Sequence, residues 1–512
     1  MATVKRPAAG DATARPAVHE KTAAEVRRGL LLRVRTHLRR EDPWSAIQAL
    51  RRLAKIAPDA ATDRDLQVGL ARTFLMLGQA RPALAHVRKA AKLPGAESLT
   101  ALRLSILLRA ARFDRALELS TAAVAASKNP EAELLAVHAS ALFRVQRTRE
   151  AAGFYQRVLG KDPLHAEAHV RLGSGLSPPR KVVVIPEILA GVTASRQGRL
   201  NDASAEFQKA LKVSPGHPIA HRLLGETLLQ LHMSDTMASS SAEFQKLAAA
   251  VPLPDVRKLP LREFLPAYPR LAAPRQAVVV RAVSMFERYL PRLLAMGARH
   301  DLLGPAERTT DQRARAGLRG KRTFDGRVWD DVRGVGGLVA ATGIEALDEA
   351  WAFGFDTLAH EMAHQAHLYA FKQVWRLRIR HLYHAAKLDG RCLDFYAASN
   401  EAEYFGQGVE AFVSLAKRPG CQKTHGHTRF ELYRVDPALY KLIQELSGFD
   451  PLRNPKHRDR LLPLCGEVAI VSGRPRDALA AAEMMPSGPA RRLLAQRARA
   501  ACKVLGLPGK SQ

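Results

Sequence analysis

Helical periodicity dominates the first 250 residues of the chain, where alanine and leucine recur at the spacing of one helix face. Prolines follow successive stretches of this kind, and four of the five spacings between these prolines lie between 33 and 37 residues. The prolines are Pro58, Pro94, Pro130, Pro163, Pro215 and Pro252. A period in this range predicts an array of helix pairs, in which neighbouring pairs bury each other's apolar faces.

Two further sequence signals support an array of repeats. The string SAEFQK occurs at 204–209 and again at 241–246, which indicates an internal duplication. Two groups of three small residues also share the same spacing, seven residues and then five. Small residues are typical of positions where antiparallel helices cross closely. These residues are Gly191, Gly198 and Ala203 in the first group and Gly466, Gly473 and Ala478 in the second. We therefore predict one more helical unit near the end of the sequence, which must pack on another part of the protein.

This pattern resembles the tetratricopeptide (TPR) family over roughly residues 40–252. The resemblance implies a solenoid of antiparallel helix pairs with a concave surface for a protein partner. One spacing of 52 residues implies an insertion around Gly173–Pro186, and the first repeats lack the aromatic residue and some glycines of the family pattern. A helical array of another type is the alternative interpretation.

The pattern changes after Pro252. An apolar stretch at 276–298, interrupted by Pro291, predicts a helix. Runs of β-branched residues divided by glycine within 305–345 predict two short strands, and a helical pattern then continues to about Tyr369. The predicted fold is therefore mainly α, with an N-terminal TPR-like α-solenoid, an α+β domain that contains a small sheet, and a C-terminal helical extension.

These patterns divide the chain into five predicted segments. They are a disordered N-terminal tail at 1–22, TPR-like helical repeats at 23–252, a proline-rich linker at 253–275, the α+β domain at 276–455, and a helical, TPR-like segment at 456–512.

The composition limits the classes of protein that fit. Hydrophobic residues make up 47% and charged residues 25%, values that are typical of globular chains and argue against wholesale disorder. No run approaches the roughly 18 uncharged apolar residues of a membrane-spanning helix, so we expect no membrane span. No secretory signal can be read, and the four cysteines form no C-x-x-C pair. We therefore expect a reducing compartment and a cytoplasmic location.

The chain is strongly basic, with a formal net charge of +30 and a pI near 10.5. Such a charge attracts acidic partners and polyanions. It is also typical of solvated helix faces in a sequence that favours arginine. No zinc-finger, RRM-like or P-loop pattern singles out nucleic acid. An acidic partner or a polyanion therefore stays an expectation that rests on charge alone.

The strongest chemical signal is the H-E-x-x-H sequence His360-Glu361-Met362-Ala363-His364, within a stretch whose pattern is helical. Residues four apart on a helix are separated by about 40° around the axis and about 6 Å along it, so two imidazoles at this spacing can bind one zinc ion. Glu361 follows the first of them, where a carboxylate can accept a proton from a zinc-bound water. The alternative is a helix whose histidines and glutamate face solvent.

A catalytic zinc site needs a third protein ligand. His367 is a poor candidate, because it lies about 10 Å from His360 along a continuous helix. A second helix predicted to begin near residue 400 offers Glu401, Glu403 and Glu410. Spacing alone does not choose among these three carboxylates.

The segment 396–405, with the sequence YAASNEAEYF, resembles the third-ligand segment of the anthrax lethal factor-like metallopeptidases, which belong to the gluzincins. The resemblance implies that His360, His364 and Glu403 bind zinc and that Glu361 is the general base. It also implies that Tyr396 donates a hydrogen bond to the developing oxyanion or assists the leaving amine. The expected activity is zinc-dependent cleavage of a peptide or protein substrate by a gluzincin-like, zincin-type domain over 276–455.

The sequence departs from that family at three positions. The family usually has a second acid four residues after the ligand glutamate, to support a zinc-binding histidine, but this sequence has Gln407. Gly406 and Gly408 interrupt the same predicted helix, which indicates either close packing on the H-E-x-x-H helix or a loosened site. His427 is interpreted as a surface turn residue, with a role at the transition state as the alternative.

Two rival interpretations follow from these departures and from the charge. One is a catalytically inactive TPR scaffold that keeps a structural or vestigial zinc site. The other is a polyanion-binding protein.

Overall fold

The computed structural model describes residues 22–40, 42–56, 62–95, 98–176, 182–237, 241–257, 259–349, 356–417, 427–507 and 509. Helices make up 69% of the structure and strands 3%, which confirms the prediction of a mainly α chain with a small sheet. The disordered tail predicted at 1–22 lies outside the described residues except for Thr22. The Thr22 hydroxyl accepts a hydrogen bond from the backbone N–H of Glu25 and caps the first helix.

Thirteen helices precede the central part of the described chain, and we call them the array. Helices that follow each other across short turns pack side by side, so they form the predicted pairs. Their bounds are α1 Ala23–Arg39, α2 Pro43–Ile56, α3 Arg64–Met76, α4 Ala80–Ala90, α5 Thr100–Arg109, α6 Phe113–Ala126, α7 Ala132–Arg144, α8 Thr148–Leu159, α9 Ala166–Arg171, α10 Pro186–Arg196, α11 Leu200–Val213, α12 Pro218–Met237 and α13 Ser241–Ala250. The irregular turn Leu172–Leu176 follows α9, within the predicted insertion.

One backbone feature recurs in the turns within the helix pairs. A residue with positive φ stands two positions before the second helix of the α3–α4, α5–α6, α7–α8 and α10–α11 pairs. These residues are Gly78, Ala111, Gln146 and Gly198, with φ of 71°, 54°, 64° and 75°. The early repeats therefore keep the turn geometry even where glycine is missing, which is why the sequence pattern looks incomplete there.

The duplicated string lies on two helices of the array. One copy is in α11, which pairs with α10, and the other is in α13, which packs against the C-terminal helix Pro455–Val471. Phe207 and Phe244 occupy the same position in the two copies, and both side chains are buried in the core. The duplication therefore preserves a packing position as well as a sequence.

The central region, which we define as residues 259–446, contains nine helices and three strands in its described part. Its helices are α14 Leu261–Phe264, α15 Ala273–Ser284, α16 Leu290–Ala295, α17 Ala346–Glu349, α18 Thr357–Gln365, α19 Gln373–Leu388, α20 Glu401–Val413, α21 Arg429–Val435 and α22 Pro437–Leu446. Its strands are β1 Arg299–Leu303, β2 Gly334–Val335 and β3 Val339–Gly343. The strand order is β1-β3-β2, with β1 parallel and β2 antiparallel to β3.

The elements before the sheet differ from the sequence expectations. The segment predicted as a linker contributes Leu261, Phe264 and Leu265, which are buried in the hydrophobic core of the central region. The helix predicted at 276–298 is divided into α15 and α16 by a 3₁₀ turn at Glu287–Tyr289. Pro291 lies in the first turn of α16, where its missing N–H costs no hydrogen bond.

The C-terminal helices are α23 Pro455–Val471, α24 Pro475–Met484 and α25 Pro489–Val504. They share a hydrophobic cluster with α13 and with Leu415 and Phe430 of the central region, so the additional helical unit packs on both. Gly473 has a φ of +73° two residues before α24, the same turn as in the array. The Arg51 guanidinium donates a hydrogen bond of 2.6 Å to the Val504 carbonyl, so the first and last helix pairs meet.

Candidate metal centre

The H-E-x-x-H segment lies on α18, a short helix buried on almost every side. The Asp356 carboxylate accepts a hydrogen bond from the Ala359 N–H at 2.9 Å and caps the helix N-terminus. His360, Glu361 and His364 are 4%, 6% and 7% exposed, so the solvent-facing alternative is wrong. Three such polar groups are rarely buried together without a partner that compensates for their desolvation.

The second helix of the site, α20, is positioned by Asn400. The Asn400 side-chain oxygen accepts hydrogen bonds from the N–H groups of Ala402 and Glu403 at 3.0 and 2.9 Å, which fixes the first turn of α20. That turn places Glu403 Oε2 at 3.0 Å from His360 Nε2 and 3.6 Å from His364 Nε2. The potential ligand atoms of these three residues lie within 4.8 Å of one another.

These residues form a site that fits a zinc ion. Two imidazole nitrogens and one carboxylate oxygen form a typical protein ligand set for catalytic zinc. Burial opposes ionisation of Glu403, but the adjacent imidazoles of His360 and His364 outweigh it and lower the pKa of this carboxyl. The structure therefore brings together the three residues predicted to bind the metal.

The two glycines of α20 allow the close approach of the helices. A Cβ atom on Gly406 would lie 2.9 Å from His360 Cε1 and 3.1 Å from His364 Cε1. A Cβ atom on Gly408 would lie 2.6 Å from Leu439 Cδ2 of α22. Both positions are too crowded for alanine, which supports close packing over a loosened helix.

The structure does not bring two of the other candidate ligands to this group. The Glu401 carboxylate is paired with the Arg380 guanidinium at 2.9 Å on the surface. His367 lies in the π-helical turn that follows α18, with its ring 5.5 Å from the ring of Phe405. Burial there lowers the pKa of His367 to about 4, so this residue is part of the aromatic core.

Glu410 occupies a position behind His360 that the sequence analysis did not anticipate. Its carboxylate is fully buried, and its Oε2 lies 3.5 Å from His360 Nδ1, on the side of the ring away from Glu403. Gln407 is also buried, but within the described residues its side-chain oxygen has no hydrogen-bond partner. The sequence signal for Glu410 was its spacing from Glu403. Residues seven apart on a helix lie on the same face, two turns away from each other.

Glycines of the sheet approach the other side of α18. A Cβ atom on Gly334 would lie 2.6 Å from Glu361 Oε1, and one on Gly336 would lie 3.1 Å from the His364 Cβ. Burial raises the pKa of Glu361, although both nearby histidines oppose that shift. The carboxylate therefore has a raised affinity for a proton and is packed directly against Gly334.

Tyr396 lies in the loop that leads into α20. Its ring centroid is 5.7 Å from that of Phe324 and 6.3 Å from that of Phe395. Burial raises its pKa, and the charges of Glu403 and Glu361 raise it further, so the phenol stays protonated. A protonated phenol in this place can donate a hydrogen bond.

His427 is not the surface turn residue suggested by the sequence. It is 8% exposed and lies between two carboxylates, with Nε2 at 3.3 Å from Asp394 Oδ2 and Nδ1 at 3.1 Å from Glu431 Oε2. Burial opposes protonation, but Glu431 and Asp394 outweigh it and raise the pKa of His427 to about 9. Asp394 also accepts a hydrogen bond from the Tyr396 N–H at 2.9 Å, so His427 supports the loop that carries Tyr396.

Comparisons with known proteins give distant structural likenesses, and two of them are PilF and YrrB. No family model matches the sequence, and no curated protein matches it significantly. Among solved structures, PilF of Pseudomonas aeruginosa is 16% identical, with a TM-score of 0.27, over 44% of this chain and 94% of that one. YrrB, described as a TPR protein with an unusual peptide-binding site, is 18% identical, with a TM-score of 0.23, over 39% of this chain and 90% of that one.

Within the part of the chain that the structure describes, no helix is both long and apolar enough to cross a bilayer.

Proposed function

We propose that this protein is a zinc-dependent metallopeptidase. The observation that carries the proposal is the convergence of His360, His364 and Glu403 beside the buried carboxylate of Glu361. Three protein ligands leave a fourth position for water or substrate, which is the arrangement of catalytic zinc sites. A bound zinc ion would polarise the scissile carbonyl and make its water molecule acidic near neutral pH.

The chain's own residues then move the protons. Glu361 accepts the proton of the attacking water and passes it to the departing amine. Its raised pKa supports this role, because a base whose pKa lies closer to the working pH both accepts and returns a proton readily. Tyr396 donates a hydrogen bond through its phenolic O–H to the negatively charged oxygen of the tetrahedral intermediate and keeps its proton.

The glycine-rich segment 334–337 supplies the substrate-binding edge in this proposal. β2 pairs with β3 on one side only, so its other edge is available for an extended peptide. Because Gly334 and Gly336 lack side chains, this segment lies directly against Glu361 and His364, so a peptide paired with its free edge would run beside the candidate metal centre. Substrates are therefore extended peptide segments, bound mainly through backbone hydrogen bonds.

The second candidate function is an inactive scaffold with a structural zinc site, and the neutral Gln407 favours it. Binding of a protein partner to the exposed faces of the array is compatible with either candidate. An acidic partner or a polyanion remains a proposal that rests on the charge of +30.

Metal analysis combined with peptide cleavage tests the proposed activity. The purified protein should contain one zinc per chain and cleave members of a mixed peptide library. Glu361→Gln should keep the zinc and lose cleavage, whereas Glu401→Gln, a matched change at the surface, should keep both. Stoichiometric zinc without cleavage in the unmodified protein would favour the scaffold, and a protein that binds no zinc would refute both candidates.

A further inference from the structure

The array contacts the central region close to the candidate metal centre. The hairpin 322–328 is closed by a bridge between Arg322 and Val328, and the Val328 N–H donates a hydrogen bond of 2.7 Å to the Gly175 carbonyl of the array. Gly175 has a φ of +92°, and a Cβ atom there would lie 2.7 Å from the Val328 carbonyl oxygen. The hairpin is therefore fixed against the array by backbone contacts.

A second contact lies at Phe395, the residue before Tyr396. The guanidinium carbon of Arg144, at the end of α7, lies 4.4 Å from the centre of the Phe395 ring. The Phe113 ring of α6 meets the Phe395 ring edge-on, at 5.5 Å and 81°. Burial lowers the pKa of Arg144 to about 10, so the guanidinium stays charged at neutral pH and can form a cation–π interaction.

Both contacts converge on Tyr396. The hairpin carries Phe324, whose ring lies against one part of Tyr396, and Phe395 lies against another. The array thus contacts Phe395 directly and the hairpin that carries Phe324 through Val328. A hydrogen-bond donor to a developing oxyanion must be held in place before the reaction. If the donor had to reorient during the reaction, the free energy of that movement would offset the stabilisation it provides.

We propose that Arg144 and Phe113 of the array are positioning residues for Tyr396, so that the array forms a structural part of the active site. The inference rests on the proposed peptidase function. It gives the array a role inside the chain, which does not require a separate partner.

Kinetics of zinc-loaded variants test the proposal. Arg144→Met removes the charge but keeps much of the side-chain length, and it should lower kcat by about five- to tenfold with little change in KM or zinc content. Arg144→Lys should recover most of the loss. Arg157→Met is the matched control, because Arg157 forms a similar contact with Phe154 at 4.8 Å within the array, and it should leave kcat unchanged.

A double variant separates positioning from a general structural effect. In a Tyr396→Phe background, Arg144→Met should cause no further loss of kcat, because the group that it positions is already absent. Equal losses in both backgrounds would overturn the proposal, as would unchanged kcat in Arg144→Met.

Hydrogen exchange gives a readout that does not depend on cleavage. Amides within 391–400 should exchange faster in Arg144→Met than in Arg157→Met or the unmodified protein, all loaded with zinc. Unchanged exchange there would overturn the proposal even if the protein is an active peptidase. Faster exchange in a protein that cleaves no peptide would instead show that the contact holds the loop and that the proposed function is wrong.

Discussion

His360 Nδ1 lies 3.5 Å from Glu410 Oε2, while the other nitrogen of the same ring lies 3.0 Å from Glu403 Oε2. The ring therefore lies between two carboxylates, with one nitrogen directed toward the metal site and the other toward the buried Glu410. Metal-binding histidines commonly have such a carboxylate behind them, because it sets the tautomer and raises the basicity of the ligand. Here the acid is Glu410. It lies one helical turn beyond Gln407, the position at which the sequence resemblance leads us to expect an acid.

The first prediction concerns this carboxylate. Glu410→Gln should weaken zinc binding by about 10- to 100-fold, the range for loss of an outer-shell partner, while the fold remains intact. Competition with a chromophoric chelator measures the affinity, and circular dichroism checks the fold. Gln407→Ala is the control and should change zinc affinity much less. A larger loss in Gln407→Ala than in Glu410→Gln would assign the support of His360 to Gln407.

The second prediction assigns the zinc ligands. His360→Ala, His364→Ala and Glu403→Ala should each remove most of the zinc, because each deletes one of three protein ligands. His367→Ala and Glu401→Ala should retain it, since the first side chain lies in the aromatic core and the second is paired with Arg380. Zinc content by atomic emission decides the outcome. Stoichiometric zinc in Glu403→Ala would refute the gluzincin assignment.

The third prediction uses the two glycines of α20. Alanine at a helix interior is ordinarily more favourable than glycine by about 1 kcal/mol. At both positions the crowding should make alanine less favourable than glycine, since overpacking typically costs about 1–3 kcal/mol.

Gly406→Ala should weaken zinc binding because its Cβ would press on His360 and His364. Gly408→Ala should lower the melting temperature with little effect on zinc affinity, because its Cβ would meet Leu439. Equal zinc affinity in both variants and the unmodified protein would contradict the close approach at Gly406.

The fourth prediction is a pH dependence of stability that arises from His427. Its pKa in the folded protein is about 9, above the value of about 6.5 for an unfolded chain. A raised pKa means that the protonated form stabilises the fold, so this stabilisation is complete below about pH 6.5 and is lost as the pH rises through 9. The melting temperature of the zinc-loaded protein should therefore fall between pH 6.5 and 9.5. His427→Gln should reduce that fall, whereas His381→Gln, at an exposed position on α19, should not. The same slope in His427→Gln as in the unmodified protein would refute this origin.

Properties confined to one helix could be predicted from the sequence. The spacing of His360 and His364 places both on one face of α18, and Asn400 begins α20 three residues before Glu403. The helix pairs of the array follow from the proline spacing in the same way, because each proline lies just beyond a second helix.

Features that depend on contacts between distant segments could not be predicted. The spacing of Glu403 and Glu410 places both on one face of α20, but the contact of Glu410 with His360 depends on how α20 lies across α18, which that spacing does not define. β1 forms because Arg299–Leu303 pairs with Val339–Gly343, although its own sequence has no alternation typical of a strand. The contact between Arg144 and Phe395 joins two different parts of the fold, so neither residue carries a local signal for it.

The last prediction tests the chemical role of Tyr396 separately from metal binding. Its phenol is held protonated, because burial and the charges of Glu403 and Glu361 raise its pKa, and a protonated phenol acts as a hydrogen-bond donor. Tyr396→Phe removes one hydroxyl and keeps the ring that packs between Phe324 and Phe395. Zinc affinity and melting temperature should therefore change little.

Turnover of Tyr396→Phe should fall by about 10²- to 10³-fold, the range for loss of one donor to an oxyanion. The loss should be in kcat more than in KM, because the hydrogen bond strengthens only as negative charge develops on the carbonyl oxygen. Steady-state kinetics on any peptide that the unmodified protein cleaves provide the measurement. A Tyr396→Phe variant with unchanged kcat would show that the phenol is only a packing residue, and the zinc ligands would keep their assignment because they are tested independently.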